Sequence, residues 1–182
     1  MAIRTYQGIA PTLGREVYVD EFALVLGDVT LGDDASIWPF AVLRGDVNRI
    51  SVGARTSIQD NTVVHVTHDG PYTPGGVPTI IGDDVTVGHS VTLHACTIGN
   101  RVLIGMGAIV LDRVVIEDDV MVAAGSLVSP GKTLKSGWLY KGSPAAPARE
   151  LSASELENLR YSAQNYVRVK NQHLQDSLQA KT

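Results

Sequence analysis

The stretch Ile98–Leu134, IGNRVLIGMGAIVLDRVVIEDDVMVAAGSLVSPGKTL, places an aliphatic residue at every sixth position: Ile98, Ile104, Val110, Ile116, Val122, Val128 and Leu134. Six is not a multiple of 3.6, so a helix would scatter these residues over drifting faces. An antiparallel sandwich would show period-two alternation in strands of variable length and would not hold a six-residue register for so long. Hexapeptide periodicity instead belongs to parallel β-helices, in which each hexad supplies one flat face of a triangular coil and about 18 residues complete a turn.

Working towards the amino terminus, the same register holds at Ile81, Val87 and Leu93, with one residue dropped before Ile98. It holds again at Val52, Ile58 and Val64, and at Val19, Val25, Leu31, Ile37 and Leu43, with an interruption near Asn48–Ile50. Gly27-Asp28, Gly32-Asp33-Asp34, Gly82-Asp83-Asp84, Gly99-Asn100 and Asp118-Asp119 recur between the apolar positions. These residue types tolerate tight turns and positive φ, and we assign them to the corners. The expected fold is all-β: a left-handed parallel β-helix over residues 1–148. A protruding loop is expected at 67–79, THDGPYTPGGVPT, whose three prolines and three glycines cannot continue a strand ladder.

Beyond the solenoid, Lys141–Pro147 (KGSPAAP) reads as a rigid connector, and Ser152 followed by Glu155 reads as a capping box opening a helix within 149–182. Leu156, Leu159, Ala163, Tyr166, Val167, Leu174 and Leu178 form an apolar stripe suited to packing against the prism or supporting an oligomer.

The 182 residues fit one domain. A net charge of -4 lacks the basic surplus that nucleic-acid binding draws on. There is no apolar run of membrane-spanning or signal-peptide length, and the expected location is cytoplasmic. Cys96 is the sole cysteine, which rules out an intrachain disulfide and a cysteine-rich zinc module, and it reads as a small buried apolar residue.

Four of the five histidines lie between residues 65 and 94. If about 11 of the 29 positions from His65 to His94 belong to the loop, one coil of about 18 remains, and the two side chains stack on one face. Rungs lie about 4.8 Å apart, from which two imidazoles can share a zinc ion. His89 lies five residues before His94, around a corner, so a neighbouring subunit of a ring-closed homotrimer is the natural source of a third ligand. Each histidine taken singly is also compatible with an ordinary surface or core position. Three neutral imidazoles would leave a tetrahedral zinc one open position, where the pKa of water falls toward 7; Fe2+ and Co2+ also suit imidazole.

Arg44-Gly45-Asp46, Gln59-Asp60-Asn61 followed by His65, and Gly88-His89 followed by His94 stand in an order and spacing that resemble the gamma-class carbonic anhydrases and their bacterial relatives. The resemblance spans most of the chain. It implies zinc held by His65 and His94 of one subunit and His89 of the next, and reversible hydration of carbon dioxide to bicarbonate. It further implies that Gln59 orients the reacting oxygen and that Arg44 anchors bicarbonate while pairing with an aspartate across the subunit boundary, Asp46 or Asp60. Tyr161 would lie near the active site. Val47 and Asn48 follow Asp46 where the best-studied members carry a glutamate proton shuttle, so slow turnover is expected, with His68 as the candidate replacement. The competing readings are a hexapeptide-repeat acyltransferase using a histidine base, a metal-assisted thioesterase, and a non-catalytic trimer fastened by its metal.

Overall fold

Each hexad contributes one short strand with an inward aliphatic residue and then turns. The computed structural model describes residues 2–179, with side chains described through Asp176. At Arg101, Gly107, Arg113, Asp119, Gly125, Gly131 and Gly137 the backbone has positive φ, so the chain turns a corner every six residues. Parallel pairing from coil to coil stacks the hexads into three faces of a β-solenoid of hexapeptide repeats, the left-handed β-helix expected from the spacing.

On the first face Val25, Leu43, Val64, Leu93, Val110 and Val128 lie one above another. On the second, Leu31, Val52, Ile81, Ile98, Ile116 and Leu134 do the same. Ile37, Ile58, Val87, Ile104 and Val122 form the stack of the third. All of these side chains are buried in one continuous core. The long strands Leu24–Leu31 and Val42–Val52 bend around a corner and join the first two faces into a single sheet.

Two departures from the rule shape the region described below. Val25 pairs with Leu43 and Val29 with Ile50, so four steps on one strand face seven on the next, and the chain bulges outward around Asp46, Val47 and Asn48. Leu93 pairs with Val110, a coil of seventeen residues, whereas Val110 pairs with Val128, a coil of eighteen. The missing residue is taken from the corner at Ala95, which has φ 49° and is fully buried.

The corner chemistry differs from expectation in one respect. Gly32, Gly82 and Gly99 are not the positive-φ residues of their corners; Asp34, Asp84 and Arg101 are. The glycines are required by stacking. The Asn100 side chain folds over Gly82 to accept a hydrogen bond from the Asp83 N–H at 2.8 Å, and a Cβ on Gly82 would lie 2.6 Å from that Asn100 oxygen. Asp83 accepts from the Ala54 N–H and Asp118 from the Asn100 N–H in the same way, so the edge is a ladder of side chains capping the coil before.

The loop is shorter than expected. Thr79 already pairs with Ile50, and the Thr67 and Val77 backbones exchange hydrogen bonds that close the loop's neck. The Lys141–Pro147 segment, expected as a rigid connector, belongs to an antiparallel hairpin of Trp138–Gly142 and Ala145–Glu150 that ends the third-face sheet.

Helix α1, Ala153–Gln179, begins at a reciprocal cap in which the Glu155 N–H donates to Ser152 Oγ and the Ser152 N–H donates to Glu155 Oε2. It packs on the third face through buried Leu159 and Ala163, and Tyr166 meets the edge of Trp38 at 6.2 Å. Leu178 of the expected stripe lies outside the residues whose side chains are described. Lys170 shares this face: its side chain is fully buried, Nζ donates to the Glu16 carbonyl and Asn171 Oδ1, and it forms an ion pair with Asp34 Oδ1 at 2.7 Å. Cys96 is buried, and burial pushes its thiol pKa up to about 12, which leaves it inert. Among the described residues, no helix is long and apolar enough to cross a membrane.

Candidate metal centre

Val64 and Leu93 point into the core, so strand alternation turns the residues that follow them, His65 and His94, outward. The pairing register sets His94 directly beside His65 across 29 residues of chain, with ring centroids 5.3 Å apart. His65 Nδ1 faces His94 Nε2 at 3.3 Å. Two nitrogens bound to one tetrahedral zinc at about 2.0–2.1 Å stand roughly 3.3–3.4 Å apart, so this pair is already spaced as zinc requires.

The outer nitrogen of each ring meets a carboxylate. His65 Nε2 lies 3.1 Å from Asp46 Oδ1, and His94 Nδ1 lies 2.7 Å from Asp112 Oδ1. A ring proton on each outer nitrogen would donate to its carboxylate and leave lone pairs on the facing nitrogens, as in metal sites whose histidines are oriented by carboxylates. Burial, with the positive charge of Arg44, lowers the His65 pKa below its ordinary value against the opposing pull of Asp46, which favours the neutral imidazole a cation needs. Burial raises the Asp46 carboxyl, but hydrogen bonds from Arg44 and His65 outweigh it and the net pKa falls. Asp112 behaves likewise, with Thr67 and His94 as its donors.

The expected residues gather around two points. Arg44, Asp46, His65 and His94 sit together on the first face, with Arg44 NH1 on Asp46 Oδ2 at 2.6 Å. His89 stands at the corner between the third and first faces, its Nδ1 held by Asp60 Oδ2 at 2.8 Å. Within the chain Asp60 therefore serves His89, and the partner of Arg44 is Asp46. Gln59, which is buried, and His89, which is exposed, line a cavity of about 260 Å³ beside helix α1, together with Thr86, Met106, Ser162 and Tyr166. Tyr166 lines this cavity, while Tyr161 is 64% exposed on the helix. His68 is exposed on the loop. Among the described residues no three potential ligands converge within a single chain.

Asp112 is the residue that sequence reasoning missed. It lies 18 positions after His94, one coil along, and the counting that paired His65 with His94 reaches it when continued for one more turn.

Fold and site together define a hexapeptide-repeat β-solenoid protein that carries paired, carboxylate-backed histidines on one outer face. A family model for the bacterial transferase hexapeptide (six repeats) matches residues 95–130. Protein YrdA of Escherichia coli K12 is 53% identical over 172 residues, covering 94% of each chain. A carbonic anhydrase of Geobacillus kaustophilus is 37% identical over 91% of this chain and 87% of that protein. A crystal structure of a hexapeptide transferase family protein from Anaplasma phagocytophilum superposes with a TM-score of 0.86 at 46% identity, over 93% of this chain and 96% of that one. This chain belongs to the gamma-class carbonic anhydrase family.

Proposed function

We propose that the protein is a homotrimeric, cytoplasmic carbonic anhydrase that interconverts carbon dioxide and bicarbonate, with zinc held by His65 and His94 of one subunit and His89 of the next. The observation that carries this reading is the facing of His65 Nδ1 and His94 Nε2 at 3.3 Å with a carboxylate behind each ring. Fe2+ and Co2+ suit the same donor set. A bound cation of this kind supplies Lewis acidity that makes water a competent nucleophile at neutral pH.

The chain's own groups do the rest. Asp46 and Asp112 hold the two imidazoles, and Asp60 holds His89 for its part in the neighbouring subunit's site. Gln59, buried beside His89, offers an amide that both donates and accepts, which suits it to orient the reacting oxygen. Arg44 is 44% exposed and uses one nitrogen on Asp46, so the rest of its planar fork is free to bind bicarbonate and an aspartate across the subunit boundary. Tyr161, exposed on α1, would serve the site from outside the chain's own cavity. His68 is the proton carrier nearest in sequence to His65.

Acyl transfer is the second reading, favoured by the transferase class in the name of the A. phagocytophilum structure. A general base needs one histidine, and the carboxylate-backed pair exceeds that need. The test is stopped-flow hydration on protein of measured metal content and oligomeric mass, beside His94→Ala and with a coenzyme A thioester as a second substrate. Hydration that requires both metal and His94, with a loss of about a thousandfold or more in the variant, is expected. Bound metal without hydration would overturn the reaction and leave thioester cleavage or a purely structural metal.

A further inference from the structure

Each of the three histidines carries a carboxylate on its outer nitrogen, but the three carboxylates differ in origin. Asp46 and Asp60 lie in the coil before the histidines they hold; Asp112 reaches His94 from the coil after it. Asp112 is also the one whose second oxygen is engaged by a hydroxyl at the loop's neck: Thr67 Oγ1 donates a short hydrogen bond to Asp112 Oδ2. The neck itself is fixed. Thr67 and Val77 exchange backbone hydrogen bonds, Asn48 Nδ2 donates to the Thr67 carbonyl, and at the loop's other foot buried Thr79 donates Oγ1–H to the His65 carbonyl at 2.6 Å.

We infer that Asp112 is a positioning residue for His94, and that Thr67 orients Asp112, so that the feet of the 68–78 loop set the geometry of the histidine pair. The inference rests on the reading of His65 and His94 as metal ligands. With Thr67 on Oδ2, the carboxylate presents Oδ1 to His94 and accepts a hydrogen bond from Nδ1–H, which keeps the ring proton on Nδ1. The lone pair is then on Nε2, facing His65 Nδ1. An amide at position 112 would keep the Thr67 bond on its oxygen and turn its NH2 toward Nδ1. That would drive the imidazole proton to Nε2, where it occupies the space a cation needs.

The test uses the full-length protein as wild type, Asp112→Asn, Thr67→Val and Thr67→Ser. It reads zinc affinity by competition with a chromophoric chelator, the His94 tautomer by long-range 15N–1H correlation after metal removal, and the thermal midpoint of the metal-free protein. For Asp112→Asn we expect affinity to fall about 10–100-fold, the ring proton to move from Nδ1 to Nε2, and the midpoint to hold. Thr67→Val should lose less, and Thr67→Ser, which keeps the hydroxyl, should match wild type. Wild-type affinity and tautomer in Asp112→Asn would overturn the inference, and so would an affinity loss accompanied by an unchanged tautomer or a matching fall in midpoint. Should the wild type bind no zinc while the tautomer shifts as described, the metal reading fails and the positioning role stands.

Discussion

Between Ile98 and Leu134 the chain turns its corners at a fixed interval of six. Between Val42 and Ala95 it bulges at Asp46–Asn48, throws out the 68–78 loop and shortens a coil just after His94. The regular half satisfies its backbone along unbroken parallel ladders and fills its centre with stacked aliphatics. The broken half keeps the inward stack intact, with Leu43, Val64 and Leu93 fully buried, and spends its irregularities on the outer surface. Arg44, Asp46, His65, His89 and His94 all belong to the broken half; Asp112 comes from the regular one. Regularity makes the scaffold here, and departures from it bring charged and ligating side chains into register. The hexapeptide family model covers 95–130, which is the regular half and stops short of the histidines.

That contrast can be broken by experiment. The largest effect is expected in the regular half: Ile116→Ala empties a fully packed position and should cost about 2–5 kcal/mol in denaturant unfolding, with metal content per folded chain unchanged. A loss of metal in step with stability would mean that the two halves are not separable in this way. A smaller effect is expected at the start of α1. Arg149 and the Ser152 cap lower the Glu155 pKa from 4.5 to about 2. A carboxylate depressed in the folded state stabilises above its unfolded pKa and loses that contribution as pH falls toward 2. Glu155→Gln should therefore melt below wild type at pH 5 to 7, with the gap closing between pH 4.5 and 2. The smallest effect is expected on the loop, where Tyr72 is 97% exposed, and Tyr72→Ala should leave unfolding within about 0.5 kcal/mol of wild type. A larger loss would show that the loop carries packing of its own.

What could be read from the chain divides along the same line. Hexad spacing reveals the solenoid because inward residues at every sixth position leave a periodic trace. The histidine pair is legible because one coil has a countable length. Asp112 stands where an eighteen-residue count from His94 falls, but its corner sequence, Leu111-Asp112-Arg113, resembles any other and does not mark it as a histidine's partner. The role of Gly82 was obscured for a related reason: contact between coils, not φ, demands it, and the contacting residue, Asn100, lies 18 positions on. Lys170 escaped notice because a charged residue on an apolar stripe reads as an interruption until its two acceptors and its ion-pair partner Asp34 are seen.

Lys170 has a consequence for how the molecule comes apart. Rung-to-rung pairing links residues one coil apart, and a stack bound by such neighbour terms alone behaves as a one-dimensional zipper that can fray from either end. The ammonium of Lys170 reaches the Glu16 carbonyl across 154 residues of sequence, tying the terminal helix to one of the earliest coils. With that link the ends are no longer independent: opening the first coils means stripping the helix from the third face. The clasp converts a polymer of rungs into a unit whose unfolding should be all-or-none.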